Sequence, residues 1–348
     1  MDILELLFWP FLACLVLTGI HCYLGIHIVR RGVIFVDLAM AQIAFLGSTT
    51  AVLYWQSFHS PESAVVTATA TESGDRRVGS EERSVKLQRE DDSSEEPITE
   101  QTIEQMIPPD IESPDSTVTE EPDDGWHRVV VPYLGGLLFT LLGAALFSLG
   151  RLRHRQIPQE AVIGIIYAVS SALALVLMFE APEDVAEQTR NMLVGRLLFV
   201  NRSMVIETAS LYAVVGLLHF FLRRPFLMIS FQPETAKEAG MAVRWWDFLF
   251  YATFGVIVTS SVQMAGILLV FSFLIIPAVC AMLFFQSIST RLFFGWGIGF
   301  LASVAGIGLS VKADIPTGAS IVITFGGLLI SLLTIRFFLA RWSSLRMQ

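Results

Sequence analysis

Lysine, cysteine and hydrolytic motifs are scarce in this 348-residue chain, and each scarcity removes a class of function. Lys86, Lys237 and Lys312 are its only lysines, and none follows a glycine. A phosphate loop of the Gly-x-x-x-x-Gly-Lys-Ser/Thr type is therefore excluded, and with it nucleotide hydrolysis by that route. No His-Glu-x-x-His stretch and no Gly-x-Ser-x-Gly elbow occurs, so a hydrolase reading is weak. Cys14, Cys22 and Cys280 all sit in apolar runs with no CxxC pair, which argues against a disulfide framework or a thiolate zinc site. Charged residues make up only 16% of the chain.

Apolar length is what the sequence has instead. Hydrophobic residues reach 53%, and the mean hydropathy is +0.61, too apolar for an ordinary soluble domain. Uncharged runs cover 6–29, 38–61, 129–150, 161–179, 248–290, 292–311 and 315–335. Each exceeds the roughly 18 residues that mark a candidate span. The 248–290 run is long enough for two spans, with Ser260, Ser261, Gln263 and Gly266 as the expected turn. The predicted fold is an all-α polytopic membrane protein of about nine transmembrane helices, at 6–29, 33–55, 129–150, 160–180, 204–222, 245–262, 264–285, 292–311 and 315–336.

The net charge of −9 is local. Residues 56–128 hold 19 of the 32 acids and 6 of the 23 bases, so the remainder carries 17 bases against 13 acids, a net of +4. The domains are thus 1–55 with spans 1 and 2, an acidic external loop at 56–128, spans 3 to 9 within 129–342, and a cytoplasmic tail at 343–348. The loop lacks periodicity and apolar surface, and its composition predicts disorder. Arg30-Arg31, the Arg151 to Arg155 cluster, Arg223-Arg224 and the Arg336, Arg341 and Arg346 set fall on one face under this count. The positive-inside rule makes that face cytoplasmic, with the N-terminus outside and the C-terminus inside. Arg190, Arg196 and Arg202 then lie outside, at a cost to the scheme. The segment 192–200 is too short to span and reads as an interfacial or re-entrant helix.

Asp37 lies inside the second apolar run, where an ionisable side chain is expensive and marks a functional site by default. The other intramembrane polar groups are Gln42, His21, His27, Glu160 and Glu207, with Asp247 and Asp314 at span ends. Asp37 is a hard oxygen ligand or a carboxylate that attracts a divalent cation; Gln42 is at most a neutral oxygen donor. On a continuous helix the two diverge by about 140°, so they chelate poorly together. His21 and His27 are also off a common face, and a lone membrane histidine is more often bonded to a neighbouring helix. In Phe231-Gln-Pro-Glu-Thr-Ala-Lys-Glu-Ala-Gly240, Pro233 suits a first helical turn, Glu234 its positive end and Gly240 its stop. Asp314 reads as the start of the last span, with Pro316 in its first turn.

Five stretches together resemble the ABC-3 family, the permease subunits of metal-importing ABC transporters that handle zinc, manganese or iron. They are Arg30-Arg31 with Asp37 and Gly47; Leu193 to Val200; Phe231 with Pro233, Glu234, Ala236 and Gly240; Ala265-Gly266 through Pro277-Ala278; and Pro316-Thr-Gly318. Gly266 and Pro277 are the most specific of these, since apolar composition alone would not place them there. The resemblance implies a second permease copy, cytoplasmic ABC ATPase subunits and an extracytoplasmic metal-binding receptor, all around a chain embedded in inner-membrane lipid. It implies no nucleic acid and no tightly bound cofactor. The cargo would be a divalent metal ion, zinc or manganese before iron, passing Asp37, Gln42 and His27. Residues 231–240 would be the coupling helix, through Pro233, Glu234, Ala236 and Gly240. Arg190, Arg196 and Arg202 would meet the receptor. The family places a His four residues after its Asp, whereas here Ala41 and Gln42 follow Asp37. Either oxygen groups handle the ion, or the path only repels anions and the receptor selects. A gradient-driven secondary transporter or cation channel is the alternative, since a membrane acid fits it too.

Overall fold

The computed structural model describes residues 3–59, 126–150, 158–180 and 197–346. The acidic stretch 60–125 lies outside them, as do Arg190 and Arg196. The helices are α1 (Ile3–Arg31), α2 (Val36–His59), α3 (Trp126–Gly150), α4 (Gln159–Glu180), α5 (Arg202–Phe221), α6 (Arg223–Phe231), α7 (Pro233–Glu238), α8 (Val243–Ala265), α9 (Ile267–Phe284), α10 (Ile288–Ala313) and α11 (Thr317–Arg346). Among the described residues nine of these are long and apolar enough to cross a membrane; only the short α6 and α7 are not. No strand occurs among the described residues. In hydrocarbon that is what backbone chemistry requires, because a helix satisfies its own N–H and C=O groups.

Helix α1 is the hub. It packs on α5, α6, α9 and α10, and Leu17, Leu24 and Ile28 on it are fully buried. Helices α4 and α11 sit outside, with apolar side chains such as Phe179, Ile323 and Phe337 facing outward. In lipid an apolar outer face costs nothing, so hydrophobicity alone does not draw helices together; small residues and polar contacts do. Helix α10 shows this clearly. A Cβ placed on Gly295 would come 2.2 Å from the Cys22 sulfur, and one on Gly299 would come 2.3 Å from a Thr18 methyl, both on α1. Gly297, on the other side of the same helix, faces open space.

Two junctions differ from the sequence reading. The turn expected over Ser260 to Gly266 is a single residue: α8 runs to Ala265, and only Gly266 separates it from α9. Gly266 adopts φ 79°, a region a side chain would strain, so one glycine suffices where four residues were expected. Ser261 is therefore inside α8 and fully buried. Asp314 does not start the last span. It ends α10 in the left-handed conformation, φ 52° and ψ 46°, which Asp tolerates better than most residues. Helix α11 begins at Thr317, whose hydroxyl lies 2.9 Å from that of Ser310.

The contact between α10 and α1 makes a clear prediction. Gly299→Val should destabilise the purified protein by about 1–3 kcal/mol, the usual cost of overpacking. Gly297→Ala should be neutral or slightly stabilising. Thermal denaturation in detergent reads both, and equal melting points for the two variants would contradict the packing described.

Candidate functional site

The end of the bundle that carries Arg30, Arg31, Arg223 and Arg224 holds a buried polar network. Arg31 closes α1, and its guanidinium reaches two other helices. Its Nη1 donates to Asp247 Oδ1 of α8 at 2.6 Å, and both side chains are 1% exposed. Its Nε donates to Ser230 Oγ of α6 at 2.9 Å. His27, one turn earlier on α1, places Nδ1 2.8 Å from the same hydroxyl. The Arg31 guanidinium also lies 3.9 Å from the centre of the Phe250 ring, with Tyr251 beyond it. A planar cation with a fixed fork of donors suits this combination of carboxylate, hydroxyl and aromatic face; an ammonium does not.

Aromatic and imidazole rings enclose the pair. Tyr23 and His27 are 4.7 Å apart between ring centres, and His219 of α5 lies 5.6 Å from Tyr23 and 4.5 Å from Phe226. His219 Nε2 bonds the Thr253 hydroxyl at 2.8 Å. Buried here without a protein hydrogen-bond partner are Arg31 Nη2, His27 Nε2, His219 Nδ1 and the hydroxyls of Tyr23 and Tyr251. The turn after α1 is held from another side: the Ile34 N–H donates to Glu160 Oε1 of α4 at 3.2 Å. Gly32 makes that turn with φ 69°.

Asp37 follows six residues after Arg31, in the first turn of α2, rather than deep within a span. It is nonetheless 1% exposed, and its Oδ1 has no hydrogen-bond partner. Gln42 is 7% exposed on the same unbroken helix. His27 is placed in the Arg31 network, where a neighbouring guanidinium disfavours a metal cation. His21 is engaged too: Nδ1 donates to the Leu17 carbonyl at 2.9 Å, and Nε2 lies 3.1 Å from Ser261 Oγ, which Tyr212 also contacts. Among the described residues no three His, Cys, Asp or Glu side chains converge into a metal-holding group. The set can attract a cation through Asp37, but it does not form a tight chelate.

Helix α7 lies between the two partners of Arg31 in sequence, after Ser230 and before Asp247. Pro233 occupies its first turn, and Glu234 follows at its positive end. Gly240 leaves it with φ 70°. Ala236 is fully buried and anchors the helix to the bundle, while Glu234, Thr235, Lys237 and Glu238 are exposed. Arg30 sits 5.1 Å above the ring of Phe231, just before α7. At the far end, Arg202 opens α5 and is exposed beside the N-cap Asn201, whose side chain accepts from the Met204 N–H.

Sequence reasoning did not single out Arg31, Ser230 and Asp247 as a unit. A signal existed: a base closing one span and an acid opening another, both assigned to one face. Ser230 gave none, since a serine near a helix end is unremarkable until a partner is seen.

Residues 126–336 match the model of the ABC 3 transport family, and the chain belongs to that family. A manganese transport system membrane protein, MntC, of Halalkalibacterium halodurans is 27% identical over 202 residues, covering 56% of this chain and 68% of that protein. A manganese import system permease protein, ScaB, of Streptococcus parasanguinis is 27% identical over 192 residues, covering 55% and 68%. The solved structure of PsaBC from Streptococcus pneumoniae in complex with Fab superimposes with a TM-score of 0.63 at 18% identity, covering 94% of this chain and 91% of that one. That likeness establishes the fold. The nine spanning helices and the family together make the chain a multi-pass membrane transport protein.

The Arg31 and Asp247 pair yields a stability prediction. Asp247→Ala should cost about 3–5 kcal/mol, because it leaves a buried guanidinium uncompensated. Replacing both, Arg31→Met with Asp247→Leu, should recover most of that loss. Denaturation midpoints of the three proteins in detergent check the order.

Proposed function

We propose that this chain is the permease of an ABC importer that carries a divalent transition metal inward, with manganese favoured. The observation that carries this reading is α7, a short polar helix anchored by buried Ala236 that presents Glu234, Thr235, Lys237 and Glu238 at the basic end of the bundle. A gradient-driven carrier has no need of such a handle. A chain that lacks a phosphate loop and belongs to an ABC transport family needs a separate ATPase, and α7 is where that subunit docks.

The basic end, with Arg30, Arg31, Arg223, Arg224 and Arg336, is the cytoplasmic one. The N-terminus is then outside and the C-terminus inside. Arg202, together with Arg190 and Arg196, faces an acidic surface of an extracytoplasmic receptor. A second copy of the chain completes the passage. In support, Ser203, Glu207 and Ser210 lie exposed on α5, and Glu207 accepts the Ser203 hydroxyl bond at 2.6 Å. A carboxylate turned toward hydrocarbon is costly, so this face meets water or another copy.

Asp37 lends negative charge to the passage, and Gln42, five residues on and about 140° around the helix, contributes an amide oxygen separately. Oxygen donors without imidazole suit manganese better than zinc. Two of the relatives carry manganese in their names, which favours the same ion. Contact with the ion is weak and transient, because a cargo that binds tightly does not leave. ATP binding closes the partner ATPases, α7 moves, and the spans switch from outward to inward opening.

Two outcomes test this reading. Asp37→Asn should lower manganese uptake into cells by about tenfold, the scale of one partly screened charge contact. Unchanged uptake removes Asp37 from the passage. Thr235→Trp, on the exposed face of α7, should abolish co-purification of the ATPase while leaving the permease folded. A variant that loses the ATPase yet keeps full uptake would point to the gradient-driven alternative.

A further inference from the structure

We propose that Arg31 is the residue through which displacement of α7 reaches α1 and α2, a positioning residue for transport. The inference rests on the reading of α7 as the ATPase-docking helix. Its basis is an unusual piece of geometry. One guanidinium holds Ser230, at the end of the helix entering α7, and Asp247, near the start of the helix leaving it. The segment 231–246 is therefore strapped at both ends to the last residue of α1. Ala236 adds a third anchor at its middle.

A push on α7 consequently has a defined route. Helix α7 is tied on both flanks, so a shift of the whole 231–246 segment loads Ser230, Asp247 or both. Either displacement pulls on a side chain whose backbone lies in the α1 to α2 turn. That turn is compact: Gly32 N–H bonds the Val29 carbonyl at 3.2 Å, and Val36 N–H bonds the Val33 carbonyl at 3.1 Å. The first turn of α2 follows at once and carries Asp37. Glu160 holds the same turn from α4 through the Ile34 N–H. Only five residues thus separate the strap from the acid assigned to the passage.

The chemistry around the strap fits a part that moves. Arg31 Nη2 and His27 Nε2 are buried donors or acceptors with no protein partner in this arrangement. Unpaired buried polar atoms are costly, so an arrangement that engages them would compete with this one. A mere stability role would be served as well by apolar residues of similar volume, as buried ion pairs often are. Retention of a fork that grips two helices at once points to transmission between discrete states.

The test uses the whole complex, permease with its ATPase and receptor, in proteoliposomes with Mn²⁺ as the probe. Manganese entry and phosphate release are measured in the same vesicles, and their ratio is the readout. Arg31→Lys keeps the charge but cannot grip Ser230 and Asp247 together. It should lower manganese carried per ATP by about tenfold, within the usual range of coupling between sites, while ATP hydrolysis continues. Arg31→Met with Asp247→Leu, which removes both members of the pair, should lower the ratio similarly. A purely structural Arg31 would reduce the yield of folded complex but not the ratio. Wild-type ratios in both variants would overturn the proposal. Failure of the docking reading shows separately, as an ATPase that stays bound and drives uptake in Thr235→Trp.

Discussion

A single buried ion pair fixes where three helices meet. Arg31 and Asp247 are 2.6 Å apart and almost wholly withdrawn from solvent. Each charge offsets the burial cost of the other. The pair therefore sets the position of α8 against α1, and the shared Ser230 hydroxyl sets α6 beside them. Helix α7 inherits its place from these constraints, since both chain segments that bound it are held. Apolar packing would have left the three helices free to slide over one another. The directional bonds of a guanidinium do not.

Away from this end, different forces hold the bundle. Helices α1 and α10 approach closely because Gly295 and Gly299 leave room for Cys22 and Thr18. Helices α3 and α8 meet through the hydroxyls of Thr140 and Thr259 at 3.0 Å. Ser48 of α2 donates to the Pro132 carbonyl of α3 at 2.7 Å. Each contact is small, and in lipid none is reinforced by water exclusion. The strongest bonds are thus gathered around Arg31, and the remainder is packed closely but with few of them. At the C-terminus of α9, Arg291 donates through Nε to the Phe285 carbonyl at 2.8 Å, and Arg336 reaches the Leu283 carbonyl. Both cations face the negative end of that helix, where charge and open carbonyls favour them.

Much of this was legible in the residues. Apolar run length identifies the nine spans, because hydrocarbon thickness demands it. Gly295, Gly299 and Ser303 announce a close approach through their spacing. What the sequence hides is economy at junctions and pairing across distance. A periodic pattern gives no hint that Gly266 alone separates two helices, since φ is not written in hydrophobicity. Asp314 followed by Pro316 looks like a helix start, yet the preceding helix uses it as a stop. Arg31 reads as a topology marker, and Asp247 as an acid near a span end. Only the fold shows that α1 ends where α8 begins.

On the proposed reading of Asp37 as the acid of the passage, the same pairing bears on the field around it. Arg31 precedes it by six residues, and a free guanidinium so close in sequence would offset the field of the carboxylate. Asp247 neutralises that guanidinium at contact distance. Its field beyond a few ångströms is then that of a dipole and falls off faster than that of a charge. In the proposed passage Asp37, with Oδ1 unbonded, would then keep its attraction for a divalent ion. One ion pair therefore serves two ends: it ties α8, which follows α7, to the end of α1, and it offsets the positive charge nearest Asp37 in sequence.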